Sequence, residues 1–291
     1  MSYRFRSKVL TGAIIASSVA LISCSDQSQA KRTLADSASA NEGAVLHIAA
    51  AANLADVLPL IIDDYKAEHH SSVQDIEVTY GSSGKLFAQI QAGAPYDLYL
   101  AANQDYPAKL IQERGQNTPA RQPFTYARGQ LALYSVTQSQ PIGPLSQTSL
   151  TAIINSQPTS KIAIANPELA PYGASAKAYL ESQQLYQDLT AQKRIIQAEN
   201  IGQTFQYTHT GNVDYGFVAQ SQVVAVKAPD SQFATLPADA YPPILQDGVV
   251  ITESSSAADF AEYLQSEAGQ QQFARAGYLP VQQSSESVAV Q

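Results

Sequence analysis

From Val45 onward, short apolar runs alternate with stretches of helical period, and this rhythm constrains the fold more than any other feature of the chain. Strands and helices in regular succession form βαβ units, which line up as an open, mostly parallel sheet covered by helices. Residues 45–51 read as a buried strand leading to Asn53, a good helix N-cap. Leu54, Val57, Leu58, Ile61, Ile62 and Tyr65 then fall on one helical face. Pro59 lacks a backbone donor and is expected to kink this helix or shift its start. The pattern recurs: strand 76–80, a turn at Gly81-Ser82-Ser83-Gly84 with capping hydroxyls, helix 85–91 and strand 97–101. A third unit opens at 131–136. A fourth comprises strand 161–165, the loop 166–172 and a helix from Gly173, and a fifth comprises strand 195–197, Asn200-Ile201-Gly202, a helix ending near His209 and strand 214–219. Residues 249–251 read as one more strand, and 257–276 as a helix capped by Gly277. No repeat of fixed period is present, which argues against solenoids and propellers.

With 291 residues, 45% of them hydrophobic, the chain can bury a core of one large or two medium domains. The net charge of -8 is set against nucleic-acid binding, which calls for a basic face. The only stretch with local basic excess at the start is 1–23, where Arg4, Arg6 and Lys8 precede the apolar run 9–22. That run is short for a membrane span and suits a signal peptide. It ends in Leu21-Ile22-Ser23-Cys24, which resembles the bacterial lipobox, whose cysteine is acylated; ordinary cleavage nearby, with Cys24 incidental, is the alternative. Cys24 is the single cysteine, so disulfides and thiolate metal clusters are excluded. Residues 24–43 are small and polar, as in a flexible tether, and the tail 284–291 is expected to be disordered.

Three strand-to-helix junctions place small or capping residues at a helix start: Ala51-Ala52-Asn53, Gly81-Ser82-Ser83-Gly84 and Glu199-Asn200-Ile201-Gly202. A helix start carries unpaired N–H groups and a partial positive charge, so several converging on one point form an anion cradle without Lys or Arg. Taken singly, each reads more simply as a structural cap. Lys85 after Gly84 is not part of a phosphate-binding loop, because Thr79 stands where that loop needs glycine and Leu86 where it needs Ser or Thr; Lys85 reads as a solvated helix residue. Asp97 reads as structural. His47, His69, His70 and His209 are scattered without metal-ligand spacing, and no nucleophile elbow is present.

The segments Ala49-Ala50-Ala51-Ala52-Asn53-Leu54, Tyr80-Gly81-Ser82-Ser83-Gly84-Lys85-Leu86, Gly93-Ala94-Pro95-Tyr96-Asp97-Leu98 and Ala165-Asn166-Pro167-Glu168 through Pro171-Tyr172-Gly173 closely resemble the ModA family, the molybdate-binding proteins of bacterial ABC uptake systems. The resemblance runs from about Val45 to about Pro280. It implies a type II periplasmic-binding-protein fold, two α/β lobes joined by two crossing hinge segments with the ligand in the cleft between them. Lobe 1 is expected at 44–127 plus 238–283 and lobe 2 at 128–237. The resemblance further implies that molybdate, and tungstate with it, is held by Ala52, Asn53, Ser83, Tyr172 and Ile201, through hydroxyls and backbone N–H groups. Molybdenum would enter only within the bound oxyanion, with no cofactor and no catalysis. The chain departs from the family at Ala219, where some members have a tyrosine that reaches the anion; Tyr172 could supply a phenol instead. The implied partners are an ABC permease and, through Cys24, a lipid anchor on the periplasmic side of a bacterial membrane, the protein being a monomer. Binding of sulfate, phosphate or an organic acid, a hydrolase with Ser83 as nucleophile, and a structural lipoprotein with a vestigial cleft are the alternatives.

Overall fold

The computed structural model describes residues 45–69, 75–114, 122–138, 141–143 and 147–281. The signal segment 1–23, Cys24, the tether to residue 43, His70 and the tail 284–291 lie outside the described residues. Strand β1 (Leu46–Ala51) passes through a 3-10 turn, Ala52–Leu54, into α1 (Leu58–His69). β2 (Ile76–Gly81) leads into α2 (Ser83–Gln91), β3 (Leu98–Leu100) into α3 (Asp105–Arg114), and β4 (Phe124–Gly129) crosses almost directly into β5 (Leu131–Tyr134). α4 (Gln147–Ser156), β6 (Ile162–Ala165), α5 (Pro171–Ser182), α6 (Tyr186–Ala191), β7 (Ile195–Ala198), α7 (Ile201–His209), β8 (Tyr215–Ala219), α8 (Gln220–Ala225) and β9 (Phe233–Thr235) follow. The chain then returns through β10 (Ile244–Val250) to α9 (Ser255–Gln265) and α10 (Glu267–Arg275).

Two sheets result, in the orders β2-β1-β3-β10-β4 and β7-β6-β8-β5-β9. Each is the centre of an α/β lobe, and the chain crosses between them at Gln130 and again over 236–243. The parallel sheet expected from the βαβ rhythm is present only in part. β1 is parallel to β2 and β3, and β6 to β7 and β8, but β10 runs antiparallel to β3 and β4, and β5 antiparallel to β8 and β9. The antiparallel members are the crossing strands and their neighbours, whose direction is set by which lobe the chain comes from.

Both faces of the first sheet are covered, which explains the unbroken apolar run in β1. Leu46, Ile48 and Ala50 pack with Leu54, Leu58, Ile61, Tyr65 and Phe260 on one face; Ala49 packs with Leu86, Ile90, Tyr99 and Leu110 on the other. The predicted stripe from Leu54 to Tyr65 is buried throughout. Its helix, however, begins at Leu58 rather than beside Asn53. Pro59 then falls at the second helical position, where no intrahelical N–H bond is lost. Asn53 is accordingly freed from capping. The tail helix is two helices, because Ser266 leaves the helical region and accepts the Gly269 N–H at 3.2 Å as the N-cap of α10. Gly277 closes α10 at φ +87°, and the Tyr278 N–H returns to the Phe273 carbonyl at 3.0 Å, which turns Tyr278 inward.

Phe260 is fully buried and meets Tyr65 edge-on at 5.0 Å between ring centres. Phe260→Ala is expected to cost about 3–5 kcal/mol through lost burial and the cavity left behind. Urea unfolding measures it, and a loss under about 1 kcal/mol would show that this face is not part of the first lobe's core.

Candidate functional site

The carboxyl ends of β1, β2, β6 and β7 each run into the start of a helix, and those starts come together. Ala52, Asn53, Ser82, Ser83, Tyr172 and Ile201, with Ala51, Gly81, Ala102, Ala170, Pro171 and Asn200 around them, line one cavity. The space between them is small and partly open to solvent. It suits a compact ion rather than a sugar or peptide. No lining residue carries a formal charge.

Each helix start is built differently. In α2 the Ser83 hydroxyl oxygen accepts the Ala102 N–H at 2.9 Å while Tyr99 donates to the Ser83 carbonyl at 2.7 Å. The end of β3 therefore clamps Ser83 from both sides, at the edge of the cavity. In α5 Pro171 occupies the first helical position and has no N–H, so Tyr172 provides the first donor of that turn. The helix starts two residues earlier than the sequence pattern suggests, which is what puts Tyr172 in its first turn. Gly173 sits so close to the Ala165 carbonyl that a Cβ would collide with it. In α7 the Asn200 side chain accepts the Gln203 N–H at 3.0 Å, leaving Ile201 at the mouth of the helix.

Asn53 is buried and reaches backward into the first lobe. Its Nδ2 donates to Gln246 Oε1 and to the Tyr278 hydroxyl, each at 2.9 Å, and Tyr278 donates to the Asn53 carbonyl at 2.9 Å. Gln246 Nε2 in turn donates across to the Tyr172 hydroxyl at 3.1 Å. The Tyr172 phenol thus points at the hinge, where it also lies against Gly129, and not at a cavity position vacated by the missing tyrosine at Ala219.

The lobes meet directly around the cavity. The Gly84 N–H donates to the Leu169 carbonyl at 2.9 Å, Tyr106 donates to the Glu168 carbonyl at 3.2 Å, and the Ser221 hydroxyl reaches the Asn53 carbonyl at 3.3 Å. Lys85, solvent-exposed on α2 as expected, also reaches Glu199 of the other lobe at 2.5 Å. Both side chains are about half exposed, so this pair contributes little stability, but it ties the two anion loops together at the mouth. Asp97 accepts the His47 N–H at 2.9 Å and the Thr252 hydroxyl at 2.7 Å, a structural role as expected. Among the described residues no cluster of His, Cys, Asp and Glu could hold a metal ion.

Ser82 was read only as a turn and cap, yet it lines the cavity. It occupies the N-cap position of α2 without making a side-chain cap bond, and its hydroxyl is buried with no partner among the described residues. Gln246, Tyr126 and Tyr278 left no motif in the sequence.

Burial pushes the Tyr278 phenol up to about 12 and those of Tyr99, Tyr126 and Tyr172 well above the ordinary tyrosine value. The wall of the site therefore stays neutral and proton-bearing throughout the physiological range. The folded chain retains these protons where the unfolded chain releases them, so stability is complete below about pH 10 and falls as pH rises toward 12. Thermal melts across this range should show the decline, and a flat melting temperature would contradict it. Ser82→Ala should change the stability of the unliganded fold by under about 0.5 kcal/mol, against about 1 kcal/mol for a working N-cap; a full capping loss in denaturation would mean that the hydroxyl serves the helix.

A family model described as bacterial extracellular solute-binding protein matches residues 46–279. The molybdate-binding protein ModA of Azotobacter vinelandii is 33% identical over 217 residues, 74% of this chain and 81% of that protein. ModA of Rhodobacter capsulatus is 31% identical over 209 residues, 70% of this chain and 77% of that protein. The solved structure of the periplasmic molybdate-binding protein of Azotobacter vinelandii superposes with a TM-score of 0.71 at 30% identity, covering 81% of this chain and all of that one. The two-lobed fold expected from the sequence resemblance is the fold shared with that structure.

Proposed function

The chain belongs to the bacterial extracellular solute-binding protein family, within its ModA branch, and is not an enzyme; from that premise we propose that it captures molybdate or tungstate between its lobes for delivery to an ABC permease. The observation that carries this reading is the cavity lined from both lobes by Ala52, Asn53, Ser83, Tyr172 and Ile201 with no formal charge in its wall. Hydroxyls and the free N–H groups of helix starts supply the donors, and the partial positive ends of α2, α5 and α7 supply the field.

Neutral, fixed donors select by size and by protonation. A smaller dianion such as sulfate would reach the same donors only through stretched hydrogen bonds. A protonated phosphate would bring an O–H into a wall built of donors. The hydrolase alternative requires a base beside Ser83, and the partner of its oxygen is a backbone N–H.

The contacts across the cleft are those that form as the lobes close, and closure is driven by whatever the anion gains from having both lobes around it. The remaining parts of the reading, a monomer tethered to the periplasmic face of a membrane through Cys24, rest on the lipobox-like Leu21-Ile22-Ser23-Cys24 and on the resemblance.

Calorimetric titration with molybdate, tungstate, sulfate and phosphate tests the ligand. Heat is expected from the first two alone, and heat from sulfate alone would end the molybdate reading. Ser83→Ala should lower affinity by about ten- to hundredfold. It should also lower the melting temperature of the free protein, because the buried Ala102 N–H loses its acceptor. The anion-induced rise in melting temperature, measured for each protein against its own unliganded state, separates the two losses.

A further inference from the structure

The loops that bring Ser83 and Ile201 to the cavity each carry a formal charge beside it, and the two charges are opposite. Lys85 is the third residue of α2, two beyond Ser83, and Glu199 lies between β7 and the N-cap Asn200, two before Ile201. Neither residue lines the cavity. Lys85 Nζ meets Glu199 Oε1 at 2.5 Å, and each side chain is about half exposed. The Glu199 N–H donates to Gln203 Oε1 at 2.7 Å, which ties its loop to the first turn of α7. Next to the pair the lobes also touch through neutral contacts. The Gly84 N–H reaches the Leu169 carbonyl at 2.9 Å, and Tyr106, which lies against Gly84, reaches the Glu168 carbonyl at 3.2 Å.

Lys85 belongs to the lobe of the first sheet and Glu199 to that of the second, so the lobes cannot part here without separating the two charges. A contact made only when the lobes are together favours the closed state, and its loss speeds release. For a pair this exposed the effect is modest, up to about fivefold in an equilibrium. That is too little to decide whether the chain folds, yet enough to read in a release rate. Parting the pair also changes what an arriving ion meets. Together the charges cancel and add no net field at the mouth. Apart they act singly: the Lys85 ammonium attracts a dianion and the Glu199 carboxylate repels it. In a chain of net charge -8, a free cation two residues from Ser83 is a local exception to an unfavourable field.

We propose that Lys85 and Glu199 form an electrostatic latch across the mouth of the cleft, which lengthens the stay of the bound oxyanion when joined and acts on capture with opposite signs when parted. This rests on the oxyanion reading of the cavity. Neither side chain touches the ion. Release is therefore sensitive to salt even though no residue of the cavity wall is charged. The two residues share one effect on release and oppose each other on capture, a signature that loss of an ordinary surface contact does not give.

The test measures release by chasing radiolabelled molybdate with an excess of the unlabelled ion, and affinity by calorimetry; the capture rate follows from the two. At about 0.1 M salt, Lys85→Gln and Glu199→Gln should each speed release about two- to fivefold. Lys85→Gln should slow capture about twofold and Glu199→Gln should speed it about twofold. The double variant should release no faster than either single one, because the second substitution has no partner left to remove. Exchanging the residues, Lys85→Glu with Glu199→Lys, should restore slow release. Raising sodium chloride toward about 1 M should speed release from the unaltered chain and leave Lys85→Gln nearly unmoved, and the salt response of the unaltered chain carries the test if a variant does not fold. Release at the unaltered rate in both single variants, multiplied effects in the double one, capture shifted the same way in both, or salt-independent release from the unaltered chain would each overturn the latch while molybdate binding stands. An unaltered chain that takes up no oxyanion would overturn the function and the latch together.

Discussion

An N–H group in the first turn of a helix has no partner within that helix, and the whole molecule is arranged around bringing several such turns to one point. A single helix start attracts an anion weakly and binds water as readily. Starts from α2 and from α5 and α7, on opposite sheets, attract it together, because their partial charges sum at one place. The chain is acidic overall, with a net charge of -8, so the attraction has to be local.

Convergence at this range demands that backbones approach closely, and side chains that would obstruct it are missing where they would do harm. A Cβ at Gly84 would strike Tyr106 and crowd Leu169, one at Gly173 the Ala165 carbonyl, and one at Gly129 both Tyr172 and Gln246. These glycines sit at the contact between lobes, at the first turn of α5 and at the crossing strand. Their role is proximity, since none of the three has a positive φ.

The alternation of strand and helix, the buried stripe of α1 and the helix start at Ile201 were legible because each depends on residues close in sequence, while α2 begins at Ser83, two residues before the expected Lys85. The orientation of β10 and β5 was not, since a strand's direction depends on where the chain last crossed and its apolar pattern is the same either way. Asn53 shows the limit most clearly. It has the composition of an N-cap, and local reasoning assigned it one, but Pro59 moved the helix start to Leu58 and released the side chain for partners 193 and 225 residues away. Lys85 is the exposed helix residue expected, but its partner Glu199, 114 residues off, could not be read from its surroundings.

A wall with no fixed cation has a consequence for release as well as for capture. A buried lysine or arginine would hold a small anion from one lobe alone, through its own charge, whatever the position of the other lobe. Peptide dipoles and hydroxyls act over short distances, and their combined effect depends on both lobes being in register. Opening by a few ångströms separates α2 from α5 and α7, and with them Asn53 from the Tyr172 side of its network. Affinity is therefore tied to lobe geometry, which is what a carrier needs if something outside the molecule is to pull the lobes apart and take the ion.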